Sequence, residues 1–419
     1  MKLKREWDCM LNVEKIRQDF PMLQHKKMQD QPLVYLDNGA TTLKPRQVID
    51  AVVNYYENYG ANAHRGDYDL SYLVDQEYAA TRKSIASFIH ADEHEVIFTS
   101  GATLGLNMVA LGLGSKVLKQ GDIILTTEAE HASCIMPWMR EANRAGAIIQ
   151  YIPIQKDGRI HIEDVKACMN DRVKVITLAH VGNVLGYIAP IKEICHLAHE
   201  YGALTIVDAA QSAPHMKLDV KDLDCDFMAF SSHKMCGPTG IGVLYGKKEW
   251  LDKMDPLLLG GDSNARFESC GHYTLKDAPY KFESGTQPLE AIFGFHAAIT
   301  YLQKIGMNQI HEHEKELHDY AIEQLKDIPS VILYNEDNDT GIITFNIKDV
   351  FAQDAASYFN ANGIAVRSGQ HCAKLLNAVL QTDATIRASF YFYNTKEDVD
   401  RFVEVCKKVN RESCLDIFF

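Results

Sequence analysis

The stretch Met228–Gly242, MAFSSHKMCGPTGIG, opens as an apolar strand and then offers two serines, a histidine, a lysine and a Gly-Pro-Thr-Gly turn. Burial of a lysine disfavours its charged form and lowers its pKa by up to ~3–5 units. A neutral amine is what a lysine needs to capture a carbonyl. Lys234 is therefore the candidate anchor for an aldehyde cofactor. The alternative is a lysine that snorkels out of a strand end.

Other polar residues stand where apolar runs end. Gly101-Ala102-Thr103 lies where a strand meets a helix start, and free N–H groups there bind phosphate. His131 follows the run 122–127, and Asn183 follows 173–181. Asp208 ends LTIVD and Gln211 comes three residues later. A buried carboxylate needs a cation; a protonated pyridine nitrogen would serve, and so would an internal salt bridge. Ser231 and His233 flank Lys234 and can donate to a phosphate. Together these residues supply a phosphate cradle, a ring partner, a carboxylate for a ring nitrogen and an amine. Those are the requirements of pyridoxal 5'-phosphate. His64 and Arg65 stand in a polar, aromatic loop over 61–71, the kind of segment that carries function. Cys372, near Arg367 and beside His371, is a cysteine in a polar loop, a setting that can favour a thiolate nucleophile; the alternative is one of ten ordinary thiols. No metal is assigned.

The elements that must hold these residues alternate. Apolar strands are predicted at 32–37, 95–100, 122–127, 148–154, 173–181, 204–210, 227–232 and 240–246. Helices are predicted at 46–60, 75–89, after Gly101, after the EAEHASCIMPW stretch, at 162–169 and at 191–201. Alternation of this kind signals an α/β domain with a mostly parallel sheet, whose ligands sit off the C-terminal strand ends. After Gly285 the pattern changes. A helix over 288–305 starts at Pro288 and stops at Gly306, and a second spans 307–327. Strands at 341–347, 364–369 and 385–390, a helix at 350–361 and one from Thr395, with Asp398 completing a capping box, make an α+β unit. The division expected is a helical arm over 1–30, a large cofactor-binding α/β domain over 31–290 and a small α+β domain over 291–419 that carries the Cys372 loop, with the arm free to pack on it.

The bulk properties narrow the partners. The chain has 419 residues and a formal charge of -13, which disfavours nucleic acid and anionic membranes. Its ten cysteines are scattered without a CxxC and read as reduced thiols of a cytoplasmic protein. The opening MKLKREWDCM is charged and lacks an apolar core, so no signal peptide is expected. No run of about 18 apolar residues appears, so no membrane span is expected.

The motifs VDAAQSAPH, FSSHKMCGPTGIG, HVGNVLG, FTSGAT and RSGQHCA resemble the class V aminotransferase family of fold-type I, and within it the cysteine desulfurases of the SufS/CsdA type. The likeness runs from VYLDNGATT to the last helix. It implies that Lys234 binds pyridoxal phosphate covalently, Asp208 holds the pyridinium, Gln211 contacts the ring hydroxyl and His131 stacks on the ring. Ala102, Thr103, Ser231 and His233 would hold the phosphate, with Thr286 reaching the site of a partner subunit, so that a homodimer is implied. Arg387 would take the carboxylate of L-cysteine, assisted by Asn183, with Arg367, His64 and Arg65 nearby. Cys372 would receive the sulfur as a persulfide and pass it to an acceptor protein. L-selenocysteine is the alternative substrate, and another class V lyase or aminotransferase, or an inactive scaffold, the alternative function. The sequence departs from the family pattern at Ala102, Leu104, Ala132, Gln370 and Lys374-Leu375.

Overall fold

The structure is a computed structural model that describes residues 11–64, 66–155 and 158–417. Its main sheet is built from Val96–Thr99 (β1), Ile123–Thr126 (β2), Ile148–Tyr151 (β3), Val173–Ala179 (β4), Leu204–Asp208 (β5), Phe227–Ser231 (β6) and Gly242–Gly246 (β7). The order is β1-β7-β6-β5-β4-β2-β3, seven strands in all. Neighbours from β6 to β3 run parallel, while β7 is antiparallel to both β6 and β1. β1, β2, β5, β6 and β7 are buried along their whole length. That is why they read as unbroken apolar runs: helices cover both faces. Ala102–Val117 and Ala132–Ala145 lie on one face with Leu106, Leu113 and Trp138 in a shared core. Leu289–Ile305 packs into the core on the other face.

A second sheet follows. Val331–Leu333 (β8), Ile342–Ile347 (β9), Arg367–Gly369 (β10) and Thr385–Ser389 (β11) pair antiparallel in the order β8-β9-β11-β10. Phe345, Phe359 and Phe402 form an aromatic cluster behind it. Val34–Tyr35 pairs with Ile364–Ala365, and Ser389 N donates to Leu36 O at 2.7 Å. The chain thus enters the region between the two sheets from the side of the second one, so the loop after Leu36 lands where strand ends from both meet.

Two helix boundaries differ from the sequence expectation. The helix expected from 75 begins at Asp69. Its first turn exposes Leu70, Tyr72 and Leu73, so no apolar stripe marks it. The helix expected over 46–60 is α-helical to Asn54 and ends in a wider π turn, Tyr55–Tyr59, before the left-handed Gly60. The Pro288 start, the Gly306 stop and the Thr395–Asp398 capping box are as expected.

One buried ion pair ties these layers together. Arg82 donates to both oxygens of Glu283, at 2.9 and 2.7 Å, and Tyr78 Oη and Phe98 N donate to the same carboxylate. Removing one partner leaves an uncompensated buried charge, which costs about 3–5 kcal/mol. Arg82→Leu is therefore expected to lower the unfolding free energy by about that amount, read as a shifted urea midpoint at unchanged slope.

Candidate active site

The site forms where β5 and β6 end. Asp208 is 5% exposed at the last position of β5, and its Oδ1 accepts Ala210 N at 2.9 Å. Gln211 donates from Nε2 to Gly39 O at 2.7 Å, while its Oε1 is buried with no partner. β6 ends at Ser231, and one 3₁₀ turn, Ser232–Lys234, carries the lysine out of the sheet. Beside it stands the start of the helix Ala102–Val117. Gly101, at φ +146°, lets the chain pass close to β6: a Cβ there would sit 3.2 Å from Ser231 Oγ. Ala102 N donates to that Oγ at 2.8 Å. Thr103 and Ser133 share a hydroxyl hydrogen bond of 2.7 Å, and Ser133 N donates to His131 Nδ1 at 3.1 Å.

Burial sets the charge states. Lys234 is brought down to about 8 by desolvation, with Asp208 opposing the shift. It makes no hydrogen bond or ion pair within the chain among the described residues. Desolvation, aided by Lys234 and Lys44, also lowers His233, to about 4. His131 is lowered too, by burial first. Both imidazoles are therefore neutral near pH 7 and act as N–H donors, not as cations. An unpaired amine, an orphaned amide oxygen, a carboxylate and a helix N-terminus around one cavity of about 340 Å³ fit pyridoxal phosphate.

The opposite wall carries Cys372. The thiol is exposed, and both His371 (φ +48°) and Cys372 (φ +58°) are left-handed. Two non-glycine residues in that region in succession cost energy and need outside support. Asn183 Nδ2 donates to His371 O at 2.7 Å, Ala132 N to Cys372 O at 2.8 Å, and His371 Nε2 meets Thr385 Oγ1 at 3.0 Å. Asn183, expected to help hold a substrate carboxylate, lines the cavity and gives one of its two amide N–H groups to the cysteine turn. Burial and the two neighbouring arginines push His371 down to about 3, so it adds no charge beside the thiol. The cations that feel Cys372 are Lys234, Arg367 and Arg387.

Arg387 is 2% exposed. Its Nη1 donates to Asn183 O at 2.7 Å, Nη2 lies 3.6 Å from Asp37 Oδ1, and Nε has no partner. Burial lowers it to about 10. Asp37 is held more closely by Arg367, at 3.0 and 2.9 Å, so Arg387 is left under-compensated and suited to a bidentate carboxylate. A Cβ on Gly39 would lie 3.0 Å from Arg387 Cζ. Gly39→Ala is therefore expected to displace the guanidinium by a few tenths of an ångström and to raise KM for a carboxylate substrate more than it lowers kcat, measured by steady-state kinetics.

One cavity brings together Ala102, Thr103, His131, Asn183, Asp208, Gln211, Ser231, His233, Lys234, Arg367, Cys372 and Arg387. His64 and Thr286 do not join it within one chain. They line a second cavity of about 350 Å³, where His64 N donates to Asp75 Oδ1 at 2.6 Å. Arg65 lies outside the described residues. Asp37, Gly39 and Ser133 escaped the reading of the sequence. Asp37 and Gly39 lie in the run VYLDNGATT and Ser133 two residues after His131 in EAEHASCIMPW, and neither stretch gave these three a partner.

Residues 34–402 match the aminotransferase class-V family. The chain belongs to the aminotransferase class V family. Among its class V relatives, a probable cysteine desulfurase of Halalkalibacterium halodurans is 47% identical over 401 residues, covering 95% of this chain and 98% of that one. The class V fold also matches solved structures. The cysteine desulfurase CsdA of Escherichia coli superposes with a TM-score of 0.89 at 33% identity, over 98% of this chain and 100% of that one. An apo cysteine desulfurase of Thermococcus onnurineus NA1 gives 0.90 at 37% identity, over 96% and 98%.

Proposed function

We propose that this protein is a pyridoxal-phosphate-dependent cysteine desulfurase that converts L-cysteine to L-alanine and takes the sulfur onto Cys372. The observation that carries the reading is a thiol on a pinned turn facing a half-buried, unpaired lysine amine across one cavity. Bound pyridoxal phosphate supplies an electron sink for the substrate Cα. The rest falls to side chains. Lys234 would hold the cofactor and move the Cα proton. Asp208 would keep the ring nitrogen protonated, Gln211 would meet the ring hydroxyl and His131 would face the ring. Thr103, Ser231 and His233 would donate to the phosphate beside the Ala102 helix start. Arg387 binds the carboxylate. The Cys372 thiolate attacks the substrate sulfur; an S–S bond forms, the C–S bond breaks, and the substrate carbon takes up a proton to leave as alanine.

His64 and Thr286, together in a second cavity, support a C₂ dimer in which each chain completes its neighbour's site. The units proposed are a helical arm over 1–30, a large α/β domain over 31–290 and a small one over 291–419, in a cytoplasmic protein with a separate sulfur acceptor and L-selenocysteine as the alternative substrate. No described helix is long and apolar enough to cross a membrane, and the nine described cysteines are free. The dimer is expected to bury above ~2,000 Å²; ultracentrifugation of a dilution series should show activity falling as monomer appears, and a fully active monomer contradicts it. The function is tested by incubation with L-cysteine, following alanine, sulfide and protein mass. Alanine with one added sulfur on the Cys372 peptide is expected. Alanine formation without that adduct at any time overturns the assignment.

A further inference from the structure

The loop after Leu36 makes its densest contact on a single atom. The carbonyl oxygen of His233 belongs to the peptide bond that leads into Lys234. It accepts from Thr42 N at 3.1 Å, Thr41 Oγ1 at 3.0 Å, Thr42 Oγ1 at 3.2 Å and Lys44 Nζ at 2.9 Å. A carbonyl offers two lone pairs, so this acceptor is oversubscribed. The Thr42 hydroxyl also accepts Cys236 N at 2.8 Å. One side chain thereby grips the backbone just before Lys234 and again two residues after it. Cys236 is left-handed, at φ +60°, a conformation that a non-glycine residue keeps only where its surroundings impose it.

Lys44 sharpens the point. Its amine donates to Thr42 O as well and forms no ion pair with a carboxylate among the described residues. Desolvation lowers it to about 8. A half-buried amine without a counter-ion is a burden on stability. Its contacts here all serve the Thr41–Thr42 turn and the carbonyl before Lys234.

We propose that Thr42 and Lys44 are positioning residues that fix the backbone on both sides of Lys234, so that its amine meets the cofactor aldehyde and the substrate Cα proton. The substrate half of this statement rests on the desulfurase reading; the cofactor half rests only on Lys234 as the anchor.

The test compares Lys44→Met, Thr42→Val and Thr42→Ser with wild type as full-length chains. Lys44→Met leaves three donors on the carbonyl and removes an uncompensated amine. Its melting temperature is expected to hold or rise, whereas a merely structural residue would lower it. Chains are stripped of cofactor, and reattachment of pyridoxal phosphate to Lys234 is followed by absorbance. Lys44→Met and Thr42→Val are expected to reattach at least about tenfold more slowly and to lose about tenfold in kcat with L-cysteine at nearly unchanged KM, because Arg387 still holds the substrate. Thr42→Ser keeps the hydroxyl and should behave as wild type. Wild-type reattachment by Lys44→Met, or slow reattachment by Thr42→Ser, overturns the proposal. If wild type makes no alanine from cysteine, the desulfurase reading fails, while the reattachment rates still decide this one.

Discussion

Cys372→Ser is expected to stay folded, hold its cofactor and lose alanine production from L-cysteine by orders of magnitude, each factor of ten being ~1.4 kcal/mol of barrier. The fold survives because the residue is exposed, and the turn is held through the carbonyls of His371 and Cys372, not through sulfur. The cofactor stays because its proposed contacts come from Lys234, Asp208, Gln211 and the Ala102 helix start. What disappears is the nucleophile. A serine hydroxyl is a poor replacement at neutral pH without an adjacent base, and the neighbouring imidazole is buried against Thr385. The measurement is alanine release together with the absorbance of the bound cofactor. A variant that still turns over at the wild-type rate would return the protein to the lyases that need no thiol.

Lys234→Ala should give the other large loss. Covalent cofactor should vanish, seen as free pyridoxal phosphate after denaturation in borohydride-treated samples, and kcat should fall by at least about a thousandfold, some 4 kcal/mol. The same residue sets a pH dependence whose sign is fixed by its lowered pKa. Only the neutral amine captures an aldehyde. At pH 7 a group near 8 is neutral in about one molecule in ten, against about three in ten thousand for a lysine of ordinary pKa. Capture by the cofactor-free protein should therefore rise with pH through 7 and level off above about 8. A rate that keeps climbing toward pH 10 would mean that burial has not lowered the amine.

Much of this site was legible because it follows strand ends. Apolar runs locate β5 and β6, so Asp208, Gln211 and Lys234 fall at their C-terminal ends, where α/β sheets bind ligands. What stayed hidden depends on pairing across the chain. Nothing local announces that Asp37 bridges to Ser389 or that it shares itself between Arg367 and Arg387. The first turn of the helix from Asp69 was unreadable because its apolar side chains face outward. His371 shows the opposite error. Beside Cys372 it reads as a neighbour that favours the thiolate, yet burial keeps it neutral, and burial is a tertiary property.

The left-handed pair His371–Cys372 also governs how fast sulfur can leave. Both carbonyls of the turn are held by hydrogen bonds, so the freedom left to the thiol is chiefly rotation about χ1, a small arc. Delivery then depends on collision. At a typical association constant of ~10⁶ M⁻¹s⁻¹, an acceptor at ~1 μM would arrive about once per second. Flux through the enzyme would scale with the abundance of whatever collects the sulfur, and a scarce collector would leave the loaded form to accumulate.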